Sequence, residues 1–306
     1  MAFFSIAIPA YKGTYLSEAI SSVLSQTIND LELIIVNDAS PDNITEIVQS
    51  FDDSRIRYYI NEKNIGGKDP VANWNRCLSY ASGTFFSLLC DDDVYKPAFL
   101  ETLYEMSLKY KKCNVFRSGV SVIDKNENVI GHYPSSPEWE SCADYIHNVS
   151  LRRRKQTISE WMFRREYISK CGGYEAVPMA WGADYLSVMK FSSDGGIAST
   201  DNQLAVFRKS GENISTTFNK NIEKKLLGTN VYADKLHTLV KEKGINCEEI
   251  GCDIEKIRRF ELKAAMRNVS PNVLWTKRDL IVNAGVSYKM LYNSLLRNII
   301  KKIICF

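Results

Sequence analysis

The sequence predicts an α/β protein with a mostly parallel sheet between layers of helices and a helical extension at its C-terminus. Short apolar runs alternate with amphipathic helical segments from residue 3 to residue 90, and this alternation is the pattern of βαβ units. One run, Leu31–Asp38, is apolar almost throughout, as expected of a parallel strand buried on both faces. From about Asn219 onwards the apolar residues recur only at helical spacing, which predicts the extension.

The first part of the chain is predicted to alternate strands with helices. The strands fall in "FFSIAIPAY", "LELIIVND", "IRYYIN" and "TFFSLL". The helices fall in "TYLSEAISSVLSQ", "ITEIVQSF", "VANWNRCLSYA" and "KPAFLETLYEMSLKY", where apolar side chains recur every three or four residues. In parallel sheets of this kind ligands bind outside the carboxyl ends of the strands, so the loops that follow the strands are the first place to look for a site.

The middle and the end of the chain follow different patterns. Residues 114–133 predict a hairpin, "TISEWMFRREYISKCGG" a strand and a short helix, and "QLAVFRK" a last strand, with a helix that starts near Asp184 before it. We expect a domain boundary near residue 217, which gives one domain over 1–217 and a helical region over 218–306. The tail 288–306 is predicted to be a basic amphipathic helix.

Composition indicates an ordinary globular protein. Of the 306 residues 45% are hydrophobic and 25% charged, which is enough apolar material for a core. The net charge of +3 gives no reason to expect a nucleic-acid partner. The eight cysteines include no CxxC pair, so we expect reduced thiols in a cytoplasmic protein. No run approaches the roughly 18 apolar residues of a membrane span, and the N-terminus lacks the basic region of a signal peptide.

Three adjacent acids, Asp91–Asp93, directly follow the fourth predicted strand. One interpretation is a solvated turn that caps the helix beginning near Pro97. The other is a site for a hard cation such as Mg²⁺ or Mn²⁺, which prefers carboxylate ligands. The second is favoured, because a cap needs one acid and because a bound cation removes the repulsion among three.

Asp38 ends the second predicted strand and should face the same crevice. It is either a turn acid before the next helix or an acceptor for the hydroxyls of a ribose or the N–H of a base. No GxGxxG follows the first two strands, and "NIGGKDP" lacks the first Gly and the final Ser/Thr of a phosphate-binding loop. A nucleotide would therefore be held by acids and a metal ion.

The order of these motifs resembles the family-2 glycosyltransferases of the GT-A fold, of the type that builds bacterial surface polysaccharides. The resemblance rests on Pro-x-Tyr after the first strand, a helix ending in Ser-x-x-Ser-Gln-Thr, a strand ending in Asp-x-Ser, "NIGG", and an acidic cluster four residues before a proline. It is strong over 3–105, which it implies is the nucleotide-sugar half, and weaker over 106–217, the acceptor half.

The resemblance implies a metal-dependent, inverting enzyme that moves a sugar from a nucleotide diphosphate, UDP by preference, to an acceptor hydroxyl. It assigns donor binding to these residues: Pro9, Ala10, Tyr11, Asp38 and Asp91. The Asp91–Asp93 cluster matches the family's DxD motif for Mn²⁺ or Mg²⁺, with Asp92 as the favoured ligand. Asp91 and Asp93 are the alternative pair.

Asp184 matches the acid that serves as catalytic base in inverting members of the family. The alternative is that Asp184 only caps a helix. Two positions depart from the family pattern: Lys12 stands where Asn is frequent, and Ala183 stands where an acid often precedes the base. The second departure leaves Asp184 as the single candidate.

Two other functions fit an α/β protein with an acidic site. A nucleotidyltransferase usually carries a glycine-rich basic loop after the first strand, and "IPAYKGTYL" does not supply one. A nucleotide- or carbohydrate-binding protein without activity is the other alternative.

Two basic segments remain. "RRRK", Arg152–Lys155, is either a solvated loop or a phosphate contact. In the tail, a predicted apolar face contains Met290, Leu291, Leu295, Ile299 and Ile303, opposite Lys289, Arg297, Lys301 and Lys302. This pattern is typical of an interfacial helix and also of a terminal helix docked on its own protein. The first interpretation would put a cytoplasmic enzyme at the inner face of a membrane, with a glycan or lipid-linked acceptor.

Overall fold

The computed structural model describes residues 2–211, 222–267 and 269–304. The expected boundary near residue 217 lies outside the described residues. The chain divides into two compact units. The first unit comprises Met1–Ala176 and Asp184–Ser210, and the second comprises Val177–Ala183 and Gly211–Phe306.

The first unit begins with the predicted alternation of strands and helices. Its elements are β1 (Phe4–Ala10), α1 (Leu16–Leu24), β2 (Leu31–Asn37), α2 (Ile44–Gln49), β3 (Ile56–Ile60), α3 (Pro70–Tyr80) and β4 (Phe85–Leu88). The strands are parallel in the order β3-β2-β1-β4. All seven residues of β2 are buried, which is why its sequence is apolar almost throughout.

The remainder of the first unit continues the same sheet. Its elements are β5 (Val94–Tyr95), α4 (Phe99–Lys109), β6 (Val115–Ile123), β7 (Val129–His132), β8 (Trp139–Glu140), α5 (Cys142–Ser150), β9 (Trp161–Arg164), α6 (Arg165–Lys170), α7 (Ala183–Phe191) and β10 (Ile197–Arg208). A short 3₁₀ helix, Ile158–Glu160, precedes β9. The predicted hairpin is β6–β7.

Strand β9 joins the two halves of the sheet. It runs antiparallel between β4 and β6, whereas β6 and β10 are parallel. The sheet is therefore mixed, with the parallel part where the alternation was predicted, and the α/β class is confirmed. Its core includes an aromatic cluster in which Phe4 stacks on Phe85 with ring centroids 5.6 Å apart and Tyr104 meets both edge-on.

The second unit is helical, as predicted. Its helices are α8 (Ile222–Glu242), α9 (Ile254–Ala265), α10 (Pro271–Thr276), α11 (Arg278–Asn283) and α12 (Tyr288–Ile304). A separate core holds them together, centred on Leu226, Leu262, Met266, Leu274 and Ile281. In the part of the chain that is described, every helix is too short or too polar to cross a bilayer.

A segment of the second unit, Val177–Ala183, interrupts the first unit along the sequence. The 3₁₀ helix Pro178–Ala180 packs on α8 so closely that a Cβ on Gly228 would lie 2.7 Å from the Pro178 carbonyl oxygen. The Lys225 ammonium lies 5.2 Å from the centroid of the Trp181 ring, a cation–π distance. These contacts explain why Val177–Ala183 belongs to the helical unit.

The turn before β10 gives a test of backbone constraint. Gly195 has φ +100°, and an added Cβ would lie 1.9 Å from the Lys112 carbonyl oxygen. Gly172 also has a positive φ, +84°, but no atom lies within 4 Å of its Cβ position. We expect Gly172→Ala to cost about 1–2 kcal/mol of unfolding free energy and Gly195→Ala about 3–5 kcal/mol, because overpacking adds to the strain. Urea unfolding measures both, and equal losses would contradict the packing argument.

Candidate active site

The loops after β1, β2 and β4 meet at the carboxyl ends of these strands, as the sequence predicts. The Asp38 N–H donates to the Ala10 carbonyl at 2.9 Å, which joins the β1 and β2 loops. The N–H groups of Tyr11 and Lys12 both donate to Asp91 Oδ2 at 2.8 Å, which joins the β1 and β4 loops. The candidate residues of these three loops are thus joined by direct hydrogen bonds.

Asp91 is a bridge between two loops. Burial raises its pKa to about 6, while the two N–H donors act in the opposite direction. One of its carboxylate oxygens is therefore already engaged by protein.

Asp93 is the most enclosed acid of the three, with 1% of its surface exposed. Its Oδ2 accepts from the Ser159 hydroxyl at 2.6 Å, and its Oδ1 accepts from the Arg208 N–H at 2.9 Å. Burial, together with the charge of Asp92, raises the pKa of Asp93 to about 8. Asp93 thus ties the β4 loop to the 3₁₀ helix before β9 and to the end of β10.

Asp92 lies between these two acids and is 8% exposed. Its Oδ2 accepts from the Ser210 hydroxyl at 3.2 Å. Burial raises its pKa, and the positive charge of Lys12 opposes that rise. Asp92 is therefore more exposed to solvent than Asp93.

One ligand atom each from Cys90, Asp92 and Asp93 lies within 4.8 Å of the others, a spacing that a single cation can bridge. Two carboxylates suit a hard cation such as Mg²⁺ or Mn²⁺, while a thiol suits softer metals. The donor set therefore fits the metal ion that the family resemblance implies. Cys90 was not predicted, because a cysteine in an apolar run reads as a core residue.

Arg208 is a site residue that the sequence reasoning missed. It is 1% exposed, its Nε donates to the Asp92 carbonyl at 3.1 Å, and its guanidinium pairs with Glu18 of α1. The guanidinium carbon lies 4.1 Å from the centroid of the Tyr15 ring. Sequence reasoning placed this residue only in the last predicted strand, "QLAVFRK".

Asp38 organises the loop "NIGG" from within. Its Oδ1 accepts from Asn61 Nδ2 at 2.7 Å and from the Ile65 N–H at 2.8 Å, and its Oδ2 accepts from the Gly66 N–H at 2.7 Å. A Cβ on Gly66 would lie 2.9 Å from Asp38 Oδ2, so the loop needs glycine there. The predicted contact of Asp38 with a base or ribose stays a prediction.

The predicted base-binding residues lie at the end of β1. Pro9 and Ala10 are its last two residues, with Ala10 fully buried. The Tyr11 side chain is 40% exposed at the rim. Their contact with a nucleotide also stays a prediction.

Asp184 lies in the first turn of α7, which begins at Ala183. Its Oδ2 accepts from Gln156 Nε2 at 3.0 Å, and burial raises its pKa. Backbone N–H groups of Asp184 and Tyr185 at the start of this helix lower the pKa of the carboxyl group, and both predicted roles, base and helix cap, stay predictions. The pKa of Tyr133 is raised, chiefly by its burial and then by the charge of Glu160. Smaller contributions come from the charges of Asp93 and Asp184, so Tyr133 lies close to both acids.

Arg164 and Arg165 lie elsewhere. Arg164 Nε donates to the Cys113 carbonyl at 3.0 Å, and Arg165 Nε donates to the Gly83 carbonyl at 2.5 Å. Gly83 precedes β4, so the Arg165 contact is at the opposite end of that strand from Asp91–Asp93. Both guanidinium groups thus donate to backbone carbonyls.

The sequence profile described as Glycosyl transferase family 2 matches residues 5–172, which is more than half of the chain and includes the loops after β1, β2, β3 and β4. The chain belongs to glycosyl transferase family 2. This confirms the family that the motifs predicted.

Two curated relatives extend the comparison. The chain is 36% identical over 162 residues to the glycosyltransferase GlyG of Streptococcus pneumoniae serotype 4, a match covering 52% of this chain and 51% of that protein. It is 36% identical over 130 residues to WfgD of Escherichia coli, a UDP-Glc:alpha-D-GlcNAc-diphosphoundecaprenol beta-1,3-glucosyltransferase, with 42% and 49% covered. The chain thus spans about half the length of these relatives.

The fold is shared with a solved enzyme. S. aureus TarS 1–349, crystallised with UDP-GlcNAc, superposes with a TM-score of 0.65 at 17% identity, covering 97% of this chain and 90% of that chain. This likeness confirms the predicted GT-A type of α/β fold.

The hydrogen bonds separate a structural acid from the more open one. Asp93→Ala leaves two buried donors without their acceptor, so we expect a loss of about 2–4 kcal/mol in unfolding free energy without added metal. Asp92→Ala removes the acceptor of Ser210 and also a charge that raises the pKa of Asp93, so we expect a smaller loss of about 1 kcal/mol. Urea unfolding at pH 7 compares the two, and an equal loss from both variants would contradict the assignment.

Proposed function

We propose that this protein transfers a sugar from a UDP-sugar to a hydroxyl of a lipid-linked acceptor, with inversion and with a divalent cation, Mn²⁺ or Mg²⁺. The observation that carries the proposal is the acidic cluster Asp91–Asp93 at the carboxyl end of β4, inside the family-matched region. WfgD supports the donor and acceptor classes, since its name states a UDP-glucose donor and a diphosphoundecaprenol-linked acceptor. The family match favours glycosyl transfer over a nucleotidyltransferase.

In this proposal the loops after β1, β2 and β4 bind the nucleotide-sugar donor. Asp92, with Asp93 or Asp91 beside it, would hold the cation, which as a Lewis acid stabilises charge on the leaving diphosphate. Pro9, Ala10 and Tyr11 would pack around the base. Asp38 would contribute by holding the "NIGG" loop and by bonding the base or ribose.

The acceptor side needs a general base. Asp184 would take the proton of the acceptor hydroxyl, which then attacks the anomeric carbon. Its raised pKa brings a carboxylate nearer to the working pH, where general bases are most effective. A protein that binds the donor without transfer is the remaining alternative.

The donor site is tested by thermal unfolding with UDP in the presence and absence of Mn²⁺. At a ligand concentration 100 times Kd we expect a stabilisation of about 2.7 kcal/mol, and we expect Asp92→Asn to lose the part that depends on Mn²⁺. A wild-type protein whose UDP binding is unchanged by excess EDTA would contradict the metal-dependent site.

The base is tested by separating binding from transfer. For Asp184→Asn we expect the Kd of UDP to stay at the wild-type value while transfer to acceptor falls at least a hundredfold, about the contribution of general-base catalysis. Turnover equal to wild type would remove the assignment. Donor binding without transfer by the wild type, with every acceptor offered, would favour a binding protein.

We also propose that helix α12 rests on an anionic lipid surface at the inner face of the membrane. Its outward face carries five exposed apolar side chains: Tyr288, Tyr292, Leu296, Ile299 and Ile300. They recur at spacings of three and four residues and therefore share a side of the helix. The helix contains Lys289, Arg297, Lys301 and Lys302 and no acid, which complements a negatively charged bilayer.

The two faces of α12 differ from the sequence expectation. Leu291 is buried and Leu295 packs against the core of the second unit. The buried face also holds Ser294 and Asn298, whose Nδ2 donates to the Val269 carbonyl at 2.8 Å. One side of α12 is therefore packed on the second unit, and another side has exposed apolar residues. The side chain of Ile303 lies outside the described residues.

Vesicle flotation tests the lipid contact. We expect the full chain to bind phosphatidylglycerol-containing vesicles and not pure phosphatidylcholine, and the double variant Leu296→Ser, Ile300→Ser to bind about tenfold more weakly. Leu108→Ser on α4, also an exposed leucine, is the matched control and should bind as wild type. Equal binding to neutral vesicles, or a concentration-dependent dimer that the double variant abolishes, would overturn the proposal.

A further inference from the structure

The "RRRK" segment is fixed in place by its neighbours. Arg154 Nε donates to Glu140 Oε1 at 3.0 Å, and Glu140 is 2% exposed. The carbonyl of Lys155 accepts from Arg117 at 2.6 Å, and the Lys155 ammonium lies 4.5 Å from the centroid of the Tyr133 ring. The second half of the segment is therefore held to the rest of the first unit.

The residue that follows this segment is Gln156, which is 8% exposed. Its Nε2 donates to Asp184 Oδ2 at 3.0 Å. Its Oε1 accepts from the hydroxyl of Tyr145, a fully buried residue of α5. Tyr145 thus contacts the oxygen end of the amide, and the N–H end faces Asp184.

We propose that Gln156 is a positioning residue that orients the Asp184 carboxylate and favours its ionised form, and that Tyr145 fixes the orientation of the Gln156 amide. The inference rests on the proposed role of Asp184 as the base. It also gives a role to the basic segment, whose contacts with Glu140 and Arg117 hold the chain directly before Gln156.

A neutral donor suits this position better than a cation. Burial raises the pKa of Asp184, and the Gln156 N–H partly offsets that effect. A full positive charge in contact would lower the pKa of a carboxylate by about 1–3 units, which would make it a poor base. An amide stabilises the charged form while leaving the carboxylate basic.

Other charges near Asp184 act on the same equilibrium. Four titratable groups interact with it electrostatically: Tyr133, Tyr145, Glu160 and Tyr185. Glu160 is fully buried, pairs with Arg117 at 2.5 Å, and has a pKa raised to about 7 by its burial. Glu160 is the carboxyl group among these neighbours. Burial raises the pKa of the nearby tyrosines most, and the charge of Glu160 adds to this rise as that of Asp184 does.

The test compares Gln156→Met, which keeps the length of the side chain without a donor, with Tyr145→Phe. For Gln156→Met we expect the Kd of UDP to be unchanged and kcat to fall about tenfold to a hundredfold. A base works only when ionised, and removal of its donor raises its pKa. In a plot of kcat against pH, the acidic limb, where activity falls as the base becomes protonated, should therefore move to higher pH by about one unit. Tyr145→Phe should move the limb in the same direction by less.

Arg154→Lys is the matched control, because it weakens the same segment without contacting Asp184. We expect it to lower thermal stability and leave the acidic limb in place. A limb that moves equally in Arg154→Lys, or stays in place in Gln156→Met, would overturn the inference.

A second readout does not depend on turnover. The ¹³C carboxyl resonance of Asp184, identified by its loss in Asp184→Asn, should titrate at higher pH in Gln156→Met than in wild type. An unchanged titration would overturn the inference. A shifted titration in a protein that transfers no sugar would support the positioning by Gln156 and refute the proposed function.

Discussion

The site is organised by the free energy needed to bury three adjacent carboxylates at the end of one strand. Each acid is stabilised by a different part of the chain: Asp91 by two N–H groups of the β1 loop, and Asp93 by Ser159 and the end of β10. Lys12 and Ser210 lie near Asp92. Because buried charge is unfavourable without such partners, the acids and the surrounding loops fix one another.

The three acids of this short motif have different hydrogen-bond partners. Asp91 and Asp93 have hydrogen bonds that hold loops, and Asp92 lies between them with a hydrogen bond from Ser210. At Asp184, the proposed base, Gln156 bonds to the carboxylate and Tyr145 bonds to the Gln156 amide. At Asp184 the proposed base is kept in one orientation by a neutral donor, a common way to keep a site ready for its substrate.

Sequence reasoning succeeded where a feature is local. Short stretches of consecutive residues were enough to predict the strands and helices from β1 to β4. The same holds for the acids after β4 and for the loop after β3. Arg208, Ser159 and Gln156 could not be found in this way, because their partners are distant in sequence and meet them only through the mixed half of the sheet. The faces of α12 were also out of reach, since the helix has apolar residues all around and only packing decides which are covered.

The segment Val177–Ala183 has a consequence for the ancestry of the two units. It packs on α8 of the second unit, yet it joins two parts of the first and ends at the residue before Asp184. The helical region is therefore not a simple appendage that recombination could exchange at a single junction. Any swap between relatives would have to carry these seven residues along with the helices, and would reach to the edge of the candidate base.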